Sequence, residues 1–151
     1  MAITKKNLQR GYQINMRLLI DTNIILDFYC ERDNAKEAEE ILKLASTKYT
    51  GMIMASQIKD LFYILRKEDG NETKEFLRDL HGSFHVIDLT RSDCYNALHS
   101  EMDDIEDAML SYSANRNKAD YIITWNTKDF VNSPVKAITP IEFIELVNSK
   151  K

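Results

Sequence analysis

Acidic residues fall at four separated places where a polar group ends or interrupts an apolar run. Asp21 follows Leu18, Leu19 and Ile20, Asp60 lies within MASQIKDLFYILR, Asp104 and Asp107 within EMDDIEDA, and Asp129 ends the polar turn of ADYIITWNTKDF. Carboxylates crowded together raise one another's pKa and repel, and a cation among them reverses the sign. The chemistry open to such a set is the binding of a hard divalent ion that keeps part of its water shell, which is the habit of magnesium. Water on such an ion is acidified into a nucleophile.

Spacing separates the members of the third group. At 100° per residue on a helix, Asp104, Asp107 and Ser111 project within about 60° of one another beside Ile105, Ala108, Met109 and Tyr112, while Glu106 points away. Two acids one turn apart cost roughly 0.2 to 0.5 kcal/mol even on an exposed helix. The plainer alternatives are acids complementing a helix dipole for Asp103 and Asp104, an N-cap for Asp21 and a solvated face for Asp60. Asp27, Asp33, Glu37, Glu39 and Glu40 are expected on solvated helix surface, alternating with Lys36 and Lys43.

The elements that must position these acids alternate regularly. Leu18 to Ile20 is a short apolar run of the buried parallel kind, followed by a helix through Ile24 to Phe28 and another over Ala35 to Lys48. Met52 to Ala55 predicts a second strand, with Ser56 as cap of a helix reaching Leu65, and a helix over Glu72 to Leu80 comes next. Phe84 to Leu89 predicts a third strand, and Arg91 to Ser100 and Asp104 to Arg116 predict two more helices. Asp120 to Thr124 is a fourth buried strand, Lys136 to Ile138 a weak fifth, and Pro140 opens a last helix. This order predicts a three-layer α/β/α fold around a central, mostly parallel sheet of four to five strands. In such sheets the functional crevice lies beyond the strands' carboxyl ends, where Asp21 and the Thr124 to Asn126 turn both fall.

The whole chain bounds the alternatives. Its 151 residues fit one domain, assigned to 16–151, and 44% hydrophobic with 29% charged residues excludes a disordered or fibrous protein. Residues 1–15 are polar, without periodicity, and are set aside as a leader or extension ahead of Met16. No stretch suits a membrane span or signal peptide, so a cytoplasmic location is expected. Cys30 and Cys94 sit in no metal-binding or disulfide pattern. A net charge of −4 excludes nucleic-acid binding by phosphate neutralisation alone, and asks for cations, a basic strip or a basic partner. Lys128, Arg116 and Lys118 could meet phosphate or only solubilise, and Trp125 could stack on a base or wall the fold.

The pieces LLIDTNIILDF, MASQIKDLFYILR, EDAMLSYSA and ADYIITWNTKDF, in this order over about residues 16 to 147, resemble the four motifs of PIN domains. The resemblance implies magnesium- or manganese-dependent cleavage of RNA, in many small bacterial members as the toxin of a toxin–antitoxin pair, and a homodimer. It places the family's acids on Asp21, Asp60 and Asp107, with Asp104 just before the third, and the fourth position on Asn126, with Asp129 following. Asp21, Asp104 and Asp107 are then the expected metal ligands, Asp21, Asp60, Asp107 and Asp129 the expected catalytic acids, and Thr22, Asn23, Thr124 and Asn126 contacts to substrate or to the ligands. Two positions depart from the pattern: Asp60 is shorter than the usual Glu, and Asn126 replaces the usual Asp and brings no charge. Asn126 is therefore the argument for a rival reading, a PIN-like module that binds without cutting. A phospho-acceptor domain would need Asp88 as acceptor and a lysine after the fifth strand, and an aspartate phosphatase an acid where Asn23 stands.

Overall fold

The computed structural model describes residues 16–67 and 70–149; the leader, 1–15, lies outside them. The elements run β1 (Arg17–Ile20), α1 (Thr22–Tyr29), α2 (Ala35–Thr47), β2 (Thr50–Met54), α3 (Ala55–Leu65), α4 (Gly70–Ser83), β3 (His85–Ile87), α5 (Arg91–Leu98), α6 (Ile105–Arg116), β4 (Tyr121–Ile123), a 3-10 turn (Thr127–Phe130), β5 (Ala137–Ile138) and α7 (Pro140–Asn148). The five strands form one parallel sheet in the order β3-β2-β1-β4-β5. Several expected elements shrink: β3 covers three residues of the predicted six and β4 three of the predicted five, and the helix carrying Asp107 starts at Ile105 rather than Asp104.

Alternation along the strands builds two apolar layers. Leu18, Ile20, Ile53 and Ile123 point to the face covered by α1 to α4 and α7, while Leu19, Met52, Met54 and Ile122 point to the face covered by α5 and α6. Each such fully buried aliphatic side chain contributes about 1.5 to 3 kcal/mol of transfer free energy. These central strands therefore have neither an exposed face nor a polar alternation, in keeping with their continuous apolar runs.

Local chemistry ends the elements where the sequence suggests, with one exception. Thr139 caps α7 by accepting the Glu142 amide at 3.1 Å, and Pro140 takes the first helical position. Ser56 does not cap α3. The N-cap is Met54, whose own amide is satisfied by Gln57 Oε1 at 2.7 Å. At the far end of α6, Lys118 adopts φ 59°, and the Ala119 amide closes on the Ala114 carbonyl at 2.9 Å.

The layer over α5 and α6 is locked by charge. Asp93, 1% exposed, receives Arg116 Nε and Nη2 at 3.0 to 3.3 Å, and Arg116 Nη2 also donates to the Asp88 carbonyl at 2.7 Å. Burial alone would raise the Asp93 carboxyl, but the Arg116 guanidinium with the Thr90 amide and hydroxyl outweighs it and holds Asp93 below its ordinary value. The stability from this pair is present above the ordinary carboxylate range and is lost as pH falls through the depressed value.

Gly51, the second residue of β2, has a packing reason to lack a side chain. A Cβ there would stand 2.7 Å from the Phe84 ring and 2.8 Å from Ala45 Cβ, and Ala45 is held on α2. Gly51→Ala is expected to lower stability by about 1 to 3 kcal/mol through overpacking. Urea unfolding should show this as a lower midpoint at unchanged slope, and an unshifted midpoint would mean the layer has room.

Candidate active site

The sheet order reverses at β1, since the chain moves from β1 to β2 and β3 on one side and returns to β4 and β5 on the other. The crevice of a parallel sheet lies at the carboxyl ends beside such a reversal. Asp21 leaves β1 at that point, and Thr124 leaves β4 beside it, because the pairing sets Ile20 against Ile123. The Asp21 amide donates to the Ile123 carbonyl at 3.0 Å, and Thr124 Oγ1 donates to Asp21 Oδ2 at 2.8 Å across 103 residues of sequence.

Above these ends opens a cleft of about 600 Å³. Its acidic lining is Asp21, Asp60, Asp104, Glu106, Asp107 and Asp129. Asp107 occupies the first turn of α6, whose N-cap is Asp104, and Asp104 Oδ1 accepts the Asp107 amide at 2.9 Å. Asp104 thus serves as a cap and a cleft acid at once. Asp129 enters on the 3-10 turn, fixed by its amide donating to the Asn126 carbonyl at 3.0 Å.

Asp107 feels this company most. Desolvation first, and then the charges of Asp104, Asp21, Asp129 and Glu106, raise its carboxyl from 3.8 to about 7. Asp21 is also raised, mainly by burial and slightly by Asp27, against the opposing Thr124 hydroxyl and the Thr22 and Asn23 amides. The donors are all oxygen, as a hard divalent ion requires, and a bound ion would relieve the repulsion. Among the described residues no three His, Cys, Asp or Glu side chains stand close enough to chelate an ion as they are. The residues fit a metal in kind and charge.

Most of the residues singled out by sequence line this cleft, namely Asp21, Thr22, Asn23, Asp60, Asp104, Asp107, Asn126 and Asp129. Asp60 is exposed on its wall and is not among the acids bearing on Asp21 or Asp107. Thr124 is fully buried beneath the floor, donating to Asp21 and accepting the Asn126 amide at 3.1 Å. Lys128 lines a smaller adjoining hollow with Asp103, Asp104 and Asp129.

Several expectations are corrected. Glu106 lines the cleft rather than pointing away, because α6 enters it by its N-terminal end, where first-turn side chains on more than one side meet the same space. Ser111 does not join the acidic row, since it is fully buried with its hydroxyl turned back to the Asp107 carbonyl at 2.8 Å. The buried residues of α6 are Ala108, Leu110, Ser111, Ser113 and Ala114, with Ile105 exposed. Asp27 is not a surface residue: 6% exposed, it accepts Trp125 Nε1 at 3.0 Å and pairs with Arg32 at 3.6 Å. That bond and its packing on the core make Trp125 a wall of the fold rather than a stacking platform. Arg116 is consumed by Asp93, and with Lys118 it stands at the other end of α6 from Asp107, roughly 14 Å away at 1.5 Å per residue. Asp88 follows edge strand β3 and lines no part of the cleft, which leaves the phospho-acceptor reading without an acceptor.

Sequence reasoning missed Gln57. It is 2% exposed, lines the cleft floor, and bonds to Met54, Ile20 and Thr22. The one available signal was a Gln three residues after a strand end, the N3 position of a helix opening.

A family model described as the PIN domain matches residues 17–128. No curated protein matches the chain in sequence. Among solved structures, the VapBC2 complex of Rickettsia felis bound to a promoter DNA fragment is similar with a TM-score of 0.66 at 16% identity, covering 82% of this chain and 98% of that one. A toxin–antitoxin complex from Klebsiella pneumoniae gives 0.64 at 24% identity over 82% and 97%. The sarcin-ricin-loop-cleaving toxin VapC20 of Mycobacterium tuberculosis gives 0.56 at 12% identity over 70% and 86%. At these identities the likeness to solved structures is one of fold.

The raised Asp107 carboxyl sets a pH signature for the metal-free protein. A group whose folded value lies above its unfolded one contributes stability at low pH that is lost as pH rises, here between about 4 and 7. Asp107→Asn cannot ionise and escapes this loss. Its advantage over wild type in urea midpoint, measured in EDTA, should grow across that interval and then level off. A constant difference from pH 4 to 8 would show that Asp107 is not crowded by other acids.

Proposed function

The chain belongs to the PIN domain family, and on that premise we propose that it is a metal-dependent endoribonuclease that hydrolyses RNA phosphodiester bonds, acting as the toxin of a toxin–antitoxin pair. The observation that carries the reading is the convergence of Asp21 from β1, Asp104 and Asp107 from α6 and Asp129 from the 3-10 turn on one cleft. The solved structures of like fold include toxin–antitoxin complexes and an RNA-cleaving toxin, which supports an antitoxin as partner and RNA as substrate. We assign the activity to a single domain over 16–151, in the cytoplasm and as a homodimer. Among the described residues no helix is long and apolar enough to cross a membrane.

Asp21, Asp104 and Asp107 would hold magnesium or manganese, with Asp129 near by. Once bound, the ion supplies an activated water and neutralises charge on the phosphate. The protein's own residues do the rest. Thr124, by donating to Asp21 Oδ2, fixes the orientation of the Asp21 carboxylate at the end of β1. Asp107, with its raised carboxyl, is able to hold a proton near neutral pH. Asn126 contributes a neutral amide at the rim, and Asp60 extends the wall along which a strand could lie.

Two results test this. Asp21→Asn should keep the fold and lose RNA cleavage in manganese by at least roughly 100-fold, since metal-borne stabilisation amounts to several kcal/mol. Equal background cleavage by wild type and variant would instead favour the binding module, the reading to which the uncharged Asn126 points. Restoring the family's acid by Asn126→Asp adds a further charge to the cleft that Asp129 lines. It should lower the manganese concentration for half-maximal cleavage several-fold, and no change would place position 126 outside the metal's reach.

A further inference from the structure

Three polar atoms beneath the cleft determine which way a hydroxyl in its wall can point. Gln57 is buried under the first turn of α1, and chemistry decides which end of its amide faces which neighbour. The Met54 amide can only donate, so it meets Oε1 at 2.7 Å; the Ile20 carbonyl can only accept, so it meets Nε2 at 2.9 Å. The second hydrogen of Nε2 then goes to Thr22 Oγ1 at 3.1 Å. Thr22 Oγ1 is thereby an acceptor toward the protein, and its own proton is donated to no acceptor among the described residues. Thr22 lines the cleft beside Asp21. The acids around it are acceptors when ionised, and a phosphodiester's non-bridging oxygens need donors.

We infer that Thr22 donates its hydroxyl to a non-bridging oxygen of the bound phosphodiester, and that Gln57 is a positioning residue that sets the direction of that bond. The inference rests on the nuclease reading for the substrate's class, but not for the bond itself. Gln57 acts by occupying the acceptor side of the hydroxyl, so that Thr22 cannot turn its proton inward. Through the Ile20 carbonyl the same amide steadies the end of β1, from which Asp21 projects. A buried side chain tied at three points to two strand ends and a cleft residue holds that geometry before substrate arrives.

Dimethyl phosphate, the smallest phosphodiester of the right charge, tests the bond without any cleavage. Added with magnesium to the 15N-labelled full chain, it should shift the Gln57 side-chain amide signals saturably. Thr22→Ser should keep the shift, and Thr22→Val should lose it and bind about tenfold more weakly or worse, as expected for a hydrogen bond to a charged group. In cleavage assays Gln57→Glu, whose carboxylate would draw the Thr22 proton inward, should raise KM as Thr22→Val does. In the Thr22→Val background that extra loss should vanish, whereas a merely structural role for Gln57 would persist there. Unmoved Gln57 signals, or undiminished binding by Thr22→Val, overturn the inference even if RNA is cleaved. Saturable, Thr22-dependent binding by a chain that cuts no RNA upholds it and removes the nuclease reading. Should Gln57→Glu fail to fold, the Thr22 pair decides the matter alone.

Discussion

Everything at the cleft depends on the parallel pairing of β1 with β4. That register sets Ile20 opposite Ile123, so the residues that follow, Asp21 and Thr124, emerge together and join at 2.8 Å. Parallel strands cannot be linked by a tight turn, so partners in the sheet must be far apart along the chain. The same requirement sends the chain through helices on both faces before it returns, and α6, which carries Asp107, is the helix that leads into β4. Confinement of acids is thus a consequence of topology, produced by the apolar pairing of strands that contain no acid at all.

The cost of this confinement is visible in charge. Asp107 is desolvated and faces Asp104, Asp21, Asp129 and Glu106, and its carboxyl rises to about 7 in consequence. A purely structural site would neutralise such a group with a cationic side chain, as Arg116, at the opposite end of α6, does for Asp93 of α5. Among the described residues no lysine or arginine lines the acidic cleft. The contrast between the two ends of α6 is physically informative: the carboxylate packed at one end is matched by a guanidinium, and those at the other face no lysine or arginine among the described residues lining the cleft.

Beneath the acids lies a layer of neutral hydrogen bonds that does not compete for charge. Thr124 ties Asp21 to the Asn126 turn, Gln57 ties the ends of β1 and β2 to Thr22, and both are buried. Such bonds are individually worth about 1 kcal/mol. Their larger effect is geometric, because each commits one lone pair of a cleft residue to a fixed direction. Asp21 and Thr22, adjacent in sequence, are oriented from opposite sides of the sheet's switch point by residues that no local pattern connects.

The amino-acid sequence alone determined the order of elements, the parallel sheet and the acids at its edge. Those properties follow from period and composition: unbroken apolar runs such as Leu18 to Ile20 and Ile122 to Ile123 must be buried on both faces, and a polar residue must end them. It could not determine which polar side chains face inward. Asp27, indistinguishable in pattern from a surface acid, is buried because Trp125, 98 residues away, brings it an N–H. Arg116 resembled a free cation near the acids until the fold set it at the wrong end of α6 and paired it with Asp93. Gln57 looked like an ordinary helix residue, and Glu106 like an outward one. Burial and partnership of polar groups are settled by contacts between residues 23 to 98 positions apart, and those exist only once the sheet has closed.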